Sequence, residues 1–297
     1  MRNNIKIAAM TGAVILTMTA VGLTGCGEAK VINPGTIASK ADGKEESKVS
    51  GNLTLNGSTS MAEVCQALGE RFVEKYPQVK MDKSGSGSGE AASSVNNGTA
   101  VIGDLSRKLK DSEDPEAFDI HTIAIDGIAI VVNKNNKISG LTSEEVGKIF
   151  KGEINNWSQL GGENKSINVI GRESASGTRD GFESIFKVKD TCRYSSELTS
   201  TGAVKTKVAS DADAIGYISL GNKDDSVVAL KIDGYEASVE NIKNNTYKSF
   251  RPFIEISRKN TEDELVKAWF DFIYSDEGAQ VIKECKLIPT DRDGNVK

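Results

Sequence analysis

The sequence predicts an α/β fold of repeated strand–helix units with mostly parallel sheets. Three observations carry that expectation. Short apolar or β-branched runs alternate from residue 51 onward with segments whose apolar residues recur at helical spacing. The 297 residues are 38% hydrophobic and 27% charged with 29 glycines, a globular composition sized for one large domain or two of about 100–150 residues. Three turns rich in glycine, serine and threonine each stand directly before a predicted helix.

At the N-terminus, Arg2 and Lys6 precede an uncharged, mostly apolar stretch over 7–23, the charge pattern of a secretory signal. The stretch ends in LTGC at 23–26, where small residues before Cys26 resemble a bacterial lipobox. The expectation is a signal peptide over 1–25, a lipidated Cys26 and a solvated tether over 26–49 that has no apolar periodicity. An uncleaved anchor is the alternative, with a stretch marginal for a bilayer core of ~30 Å. Either way the chain is exported and tethered at a membrane surface.

Within the folded part, 53–55 reads as a strand, and Met61, Val64, Leu68 and Phe72 set a helix over 60–76. A strand at 79–81, a short helix at 91–97 and a strand at 101–103 follow. The β-branched run at 123–133 reads as a long buried strand. Beyond it come a helix at 143–150, a strand at 167–171, helices at 178–186 and 201–209, and strands at 215–219 and 229–232. A strand at 250–257 and helices at 261–274 and 276–284 close the chain. Phe150, Trp157, Trp269 and Phe270 read as core, and the charge runs at 108–116 and 258–264 as solvated faces.

Composition excludes several functions. With 37 Lys+Arg against 42 Asp+Glu the net charge is −5, so clustered positive charge for nucleic acid is missing. His121 is the one histidine, which removes His-based triads and multi-His metal sites. Cys65, Cys192 and Cys285 form no disulfide framework, and Cys65 reads as a small buried hydrophobe. The glycine–serine run lacks the GK[ST] ending of a P-loop, no GxSxG elbow occurs, and the SxxK match at 184–187 has no companion motif. Binding without chemistry, and without a metal or cofactor, is what remains. A phosphatase would need a metal cluster or a nucleophile with its base.

The three turns are NGSTS at 56–60, SGSGSG at 84–89 and GRESASGT at 171–178. A helix start offers unpaired N–H groups, glycine lets backbone approach, and hydroxyls add donors, so each turn can hold part of an anion. Taken singly, each is also explained by helix capping.

The segments NGSTSM (56–61), SGSGSGEA (84–91), IAIDGIAIVVN (123–133), IFKGEINNWSQLGG (149–162), GRESASGTRDGF (171–182) and DAIGYISLG (213–221) resemble the phosphate-binding lipoproteins of bacterial ABC importers. The resemblance spans 50–297. It implies a type II periplasmic-binding-protein fold, in which two lobes joined by two hinge strands close a cleft over one oxyanion and deliver it to a permease. Lobe one would comprise 50–125 and 250–297, and lobe two 126–249, with a monomer as the usual receptor.

By the same resemblance Thr59 and Ser60 match the first turn's donors, Ser88 the second's, and Arg172, Ser176, Gly177 and Thr178 the Arg and SGT donors of the other lobe. Arg172 brings the full positive charge of that set; its alternative is a surface ion pair with Glu173 or Asp180. Ser106 stands where some members place an Asp that accepts the proton of hydrogen phosphate. Asp126 or Asp104 would then supply the acceptor. Asp126 is favoured, because an acid inside an apolar run is costly without a partner; a capped or ion-paired structural role is its alternative. Sulfate is the alternative ligand, and a phosphate-sensing or adhesion lipoprotein the alternative function.

Overall fold

In chain order the strands and helices are β1 (Gly51–Gly57), α1 (Ala62–Lys75), β2 (Val79–Ser84), α2 (Ala91–Asn96), β3 (Ile102–Leu105), β4 (Phe118–Asn133), β5 (Gly140–Leu141), α3 (Ser143–Phe150), β6 (Asn168–Arg172) and α4 (Gly177–Ile185). They continue as β7 (Ser196–Leu198), α5 (Thr201–Ser210), β8 (Ala214–Ser219), β9 (Val227–Ala229), β10 (Lys231–Ile232), α6 (Val239–Lys243), β11 (Phe250–Arg258), α7 (Glu264–Ile273), α8 (Asp276–Glu284) and β12 (Ile288–Pro289). This computed structural model describes residues 49–297. The signal-peptide and lipidation expectations at 1–25 and Cys26, and the tether as far as residue 48, lie outside the described residues. Among the described residues no helix is long and apolar enough to cross a membrane.

Local chemistry explains the boundaries. Helix α3 starts where the sequence places it because Thr142 and Glu145 form a reciprocal cap: the Glu145 N–H donates to Thr142 Oγ1 at 3.1 Å and the Thr142 N–H to Glu145 Oε2 at 2.7 Å. Helix α7 starts three residues later than the expected 261, because Asp263 is the cap and accepts the Leu265 N–H at 2.9 Å. The expected strand at 229–232 divides in two, since β9 pairs with β4 and β10 with β5.

One sheet runs in the order β2-β1-β3-β11-β4-β8-β6-β7, with β9 and β12 also on β4. It is not mostly parallel. β1 pairs parallel with β2 and β3, and β6 with β7 and β8. β11 is antiparallel to β3 and β4, and β4 is antiparallel to β8, β9 and β12. The reason is the 16-residue β4, which passes from one half of the molecule to the other while β11 returns beside it. Only the outer βα units keep the parallel pairing that helical crossovers impose.

Two main cores flank the two crossing strands. One joins β1 and α1 (Leu53, Leu68, Phe72) to α7 and α8 (Trp269, Ile282). The other joins Ile128 and Ile130 of β4 to Phe150, Trp157, Phe182 and Tyr217. The strands thus end in turns that face each other between the two halves.

Candidate anion-binding site

The first turn leaves β1 at Gly57, whose φ is +142° and where a Cβ would lie 2.1 Å from the Asp104 carbonyl oxygen. Only glycine permits this close approach. The Ser58 N–H then donates to the Asp104 carbonyl at 2.8 Å, and Ser58 Oγ accepts the Ser60 N–H at 3.3 Å, which sets Thr59 and Ser60 at the helix start.

The second turn places Ser88 against Ser106. Ser88 Oγ accepts the Ser106 N–H at 3.0 Å, and the two hydroxyls are 3.3 Å apart. The third turn comes from the other half. Ser176 caps α4 by accepting the Arg179 N–H at 3.2 Å, and a Cβ on Gly177 would fall 2.4 Å from Ser88 Oγ and 2.7 Å from Ser106 Oγ. The Gly89 N–H donates to the Ala175 carbonyl at 2.9 Å, joining the second and third turns directly.

Ser60 is the meeting point. Its Oγ lies 2.6 Å from Thr178 Oγ1 and 3.0 Å from Thr201 Oγ1. Thr59 Oγ1 accepts the Thr201 N–H at 3.3 Å. Arg172 is 1% exposed and donates from Nη1 to Thr201 Oγ1 at 3.1 Å. Its Nε and Nη2 form a two-point pair with Glu173 at 2.9 and 2.7 Å. Arg172 is therefore ion-paired to Glu173, but buried at the hydroxyl cluster rather than on the surface, and Asp180 pairs with Arg107 and Lys110 instead. A cavity of about 330 Å³, with Thr59, Lys83, Ser200 and Lys205 in its lining, opens beside it.

Of the two candidate carboxylates, only Asp126 joins this cluster. Its Oδ1 accepts from Ser219 at 2.7 Å, and its Oδ2 from Arg251 Nε and Nη2 at 3.1 and 3.0 Å. Arg251 Nη2 also donates to Ser60 Oγ at 3.2 Å. Burial pushes the Asp126 carboxyl up and the Arg251 guanidinium down, each opposed by the other's charge. Asp104 faces Lys83 instead, with Nζ 2.8 Å from Oδ2.

The sequence missed Arg251, Thr201 and Ser219. Arg251 stands directly opposite Asp126 in the β11–β4 register, so the partner that the buried acid required is a cross-strand guanidinium. Its Nη1 is buried and has no partner within the protein. The available signal was an Arg inside the apolar strand FRPFIEIS, to which the argument made for Asp126 applies equally. Thr201 and Ser219 carry no such signal.

The charge run at 108–116 is also more than a solvated face. Lys110, together with Arg107 just before the run, lies 2.8 Å from Asp180 of α4, a link between the two halves. Among the described residues, Cys65, Asp104 and Glu255 bring one thiol and two carboxylates within 4.8 Å of one another, the donor types of a metal centre. They do not suit a cation, because the Lys83 ammonium already neutralises Asp104 and burial raises the Cys65 thiol well above its ordinary value.

The family model for the PBP superfamily domain matches residues 42–277. The phosphate-binding protein PstS of Bacillus subtilis (strain 168) is 30% identical over 284 residues, covering 93% of this chain and 90% of that protein. The chain belongs to the PstS family. A second PstS, from Pseudomonas aeruginosa, is 30% identical over 304 residues, covering 92% and 93%. A Clostridium perfringens structure, described as a phosphate ABC transporter substrate-binding protein with bound phosphate, matches with TM-score 0.79 and 37% identity, covering 81% of this chain and all of that one. An ABC-type phosphate transport receptor from Vibrio cholerae matches with TM-score 0.67 and 34% identity, covering 80% of this chain and all of that one. These PstS relatives are binding proteins by name, and the solved structures share the two-lobed α/β fold.

Proposed function

We propose that the chain is the receptor of a phosphate ABC importer: it closes its cleft on inorganic phosphate and presents the ion to a membrane permease without transforming it. The observation that carries this reading is the convergence of donors from both halves at the buried Arg172, with Ser60 Oγ 2.6 Å from Thr178 Oγ1.

A phosphate dianion loses a large hydration energy on burial, so it must be surrounded by donors. Thr59, Ser60, Ser88 and Ser106 supply them from lobe one, over 50–125 and 250–297. Arg172 and the Ser176-Gly177-Thr178 helix start supply them from lobe two, over 126–249. Arg251 adds the free N–H of its Nη1. Charge-assisted hydrogen bonds of about 1.5–3 kcal/mol each offset the lost hydration. Asp126 is assigned to the ligand's proton, with Arg251 and Ser219 holding the carboxylate in place.

In this reading the receptor works as a monomer outside the cytoplasm, held to the membrane by a lipid on Cys26. Cys26→Ser would release it into the medium. The deciding experiment is calorimetric titration with phosphate and with sulfate at equal concentrations, beside an assay with an aryl phosphate. Phosphate binding with sulfate silent and no turnover supports the proposal; silence toward phosphate overturns it. Comparable binding of both ions would favour the broader oxyanion receptor, for which the neutral Ser106 at a position some relatives fill with Asp is the specific argument.

A further inference from the structure

A second buried constellation lies where β1, β2 and β3 end, outside the hydroxyl cluster. Asp104 and Glu255 are cross-strand neighbours in the β3–β11 register and are both fully buried. Lys83 of β2 reaches Asp104 at 2.8 Å. Trp269 Nε1 of α7 donates to Glu255 Oε2 at 2.6 Å, and the Cys65 thiol of α1 faces Glu255 Oε1 at 3.8 Å. The other titratable groups facing Glu255 are Tyr274, just past the end of α7, and His121, its register partner on β4. His121 stacks on Phe270, and burial lowers its pKa to about 4, so it is neutral at pH 7.

Two carboxylates this close cannot both be ionised in a dry interior beside one ammonium without a large cost. Burial pushes the Glu255 carboxyl up to about 8, with the Asp104 charge adding to the effect and Trp269 and Lys83 opposing it. Burial raises Asp104 as well, with Lys83 opposing. Burial works against the Lys83 ammonium, but Asp104, with Cys65 and Glu255 adding to it, holds Lys83 above its ordinary value. At neutral pH the triad therefore holds one ammonium, one carboxylate and one proton.

All three lobe-one anion segments are tied to this triad. The Asp104 carbonyl accepts the Ser58 N–H at 2.8 Å. Lys83 Nζ donates to the Ser84 carbonyl at 2.6 Å, at the start of the turn that carries Ser88. Ser106 follows Asp104 by two residues. We propose that Lys83, Asp104 and Glu255 form a buried positioning triad that keeps the Ser58, Ser88 and Ser106 segments in register, and that loss of its single proton at alkaline pH loosens them and weakens anion binding. The binding half of this inference rests on the phosphate reading above.

The sign follows from linkage. Glu255 titrates higher in the folded chain than in the unfolded one, so its contribution to stability is full below the unfolded value and is lost as pH rises through about 8. Glu255→Gln removes the titration and keeps an oxygen for Trp269. Phosphate's own ionisation is common to both proteins and cancels in the ratio of their dissociation constants. Between about pH 7 and about pH 9, the wild type is expected to weaken about tenfold relative to Glu255→Gln; a constant ratio overturns the proposal.

Hydrogen exchange of segments 57–60, 84–89 and 104–106 decides the matter independently of ligand. Faster exchange in the wild type than in Glu255→Gln at about pH 9, but not at about pH 6, supports the triad. Equal exchange at both overturns it. Absence of phosphate binding at neutral pH would overturn the phosphate reading while leaving this comparison intact. In the wild type alone, tryptophan emission titrating near the Glu255 value supports the shared proton, since Trp269 donates to it; a flat emission curve overturns it.

Discussion

Ser60 Oγ and Thr178 Oγ1 lie 2.6 Å apart although 118 residues separate them and they start helices in opposite halves of the molecule. Each hydroxyl carries one proton, so while the two are hydrogen-bonded the pair can offer an anion one donor, and it offers both only when their mutual bond opens. Thr178→Val keeps the shape and removes one donor. It is expected to weaken phosphate binding by about 1.5–3 kcal/mol, roughly 10- to 150-fold, with little change in thermal stability. Calorimetry on the purified chain checks this; unchanged affinity would remove Thr178 from the site.

Gly177 leaves no room for a side chain between the halves, because a Cβ there would sit 2.4 Å from Ser88 Oγ. Gly177→Ala is therefore expected to fold normally, since its helix position favours alanine, but to close poorly. Phosphate affinity should fall by about two orders of magnitude or more as the donors are held apart. Small-angle scattering with saturating phosphate should show a larger radius of gyration than the wild type.

Arg251 and Asp126 are both buried and paired, so breaking the pair differs from removing it. Arg251→Met alone leaves an uncompensated carboxylate and should cost about 3–5 kcal/mol of stability. Adding Asp126→Asn should restore most of the melting temperature without restoring phosphate binding. If binding returned with stability, Arg251 would be structural only.

Asp126→Asn by itself tests the assignment of the ligand's proton. The amide cannot accept a proton in the way a carboxylate does, so phosphate binding should weaken more than sulfate binding in parallel titrations. Equal losses for both ions would leave Asp126 as the counter-ion of Arg251 and nothing further.

The contacts of Asp180 with Arg107 and Lys110, at 2.8 Å each, cross between the halves near Ser106. Asp180 is partly exposed, so the pair is screened and contributes about 1 kcal/mol or less. Asp180→Asn should raise the phosphate dissociation rate about two- to fivefold in stopped-flow, and less at high salt. A salt-independent rate would argue against a role in closure.

Most of the longer elements were legible where the cause was local, whereas β5, β7, β12 and the short α6, capped by Ser238, were not expected. The Thr142–Glu145 cap fixes α3, the apolar spacing of Val64, Leu68 and Phe72 fixes α1, and the three glycine-rich turns lead into the helix starts that carry the hydroxyls. What could not be read was set by register between distant strands. The sheet is mixed because β11 lies between β3 and β4, and nothing in residues 118–133 announces a neighbour such as Arg251, which arrives 125 residues after Asp126. Arg251 stood in an apolar strand as Asp126 did, but its partner could not be read: only the β11–β4 register brings the two face to face.

The packing of α7 and α8 onto β1 and α1 also governs the order in which the chain can be completed. The core that contains Leu53 and Phe72 is filled by Trp269, Phe272 and Ile282 from the last helices, whereas the core around Phe150 and Phe182 draws almost all its residues from the middle of the chain. During synthesis the middle can therefore consolidate first. The N-terminal strands must wait, with their apolar faces uncovered, until the final forty residues have been made.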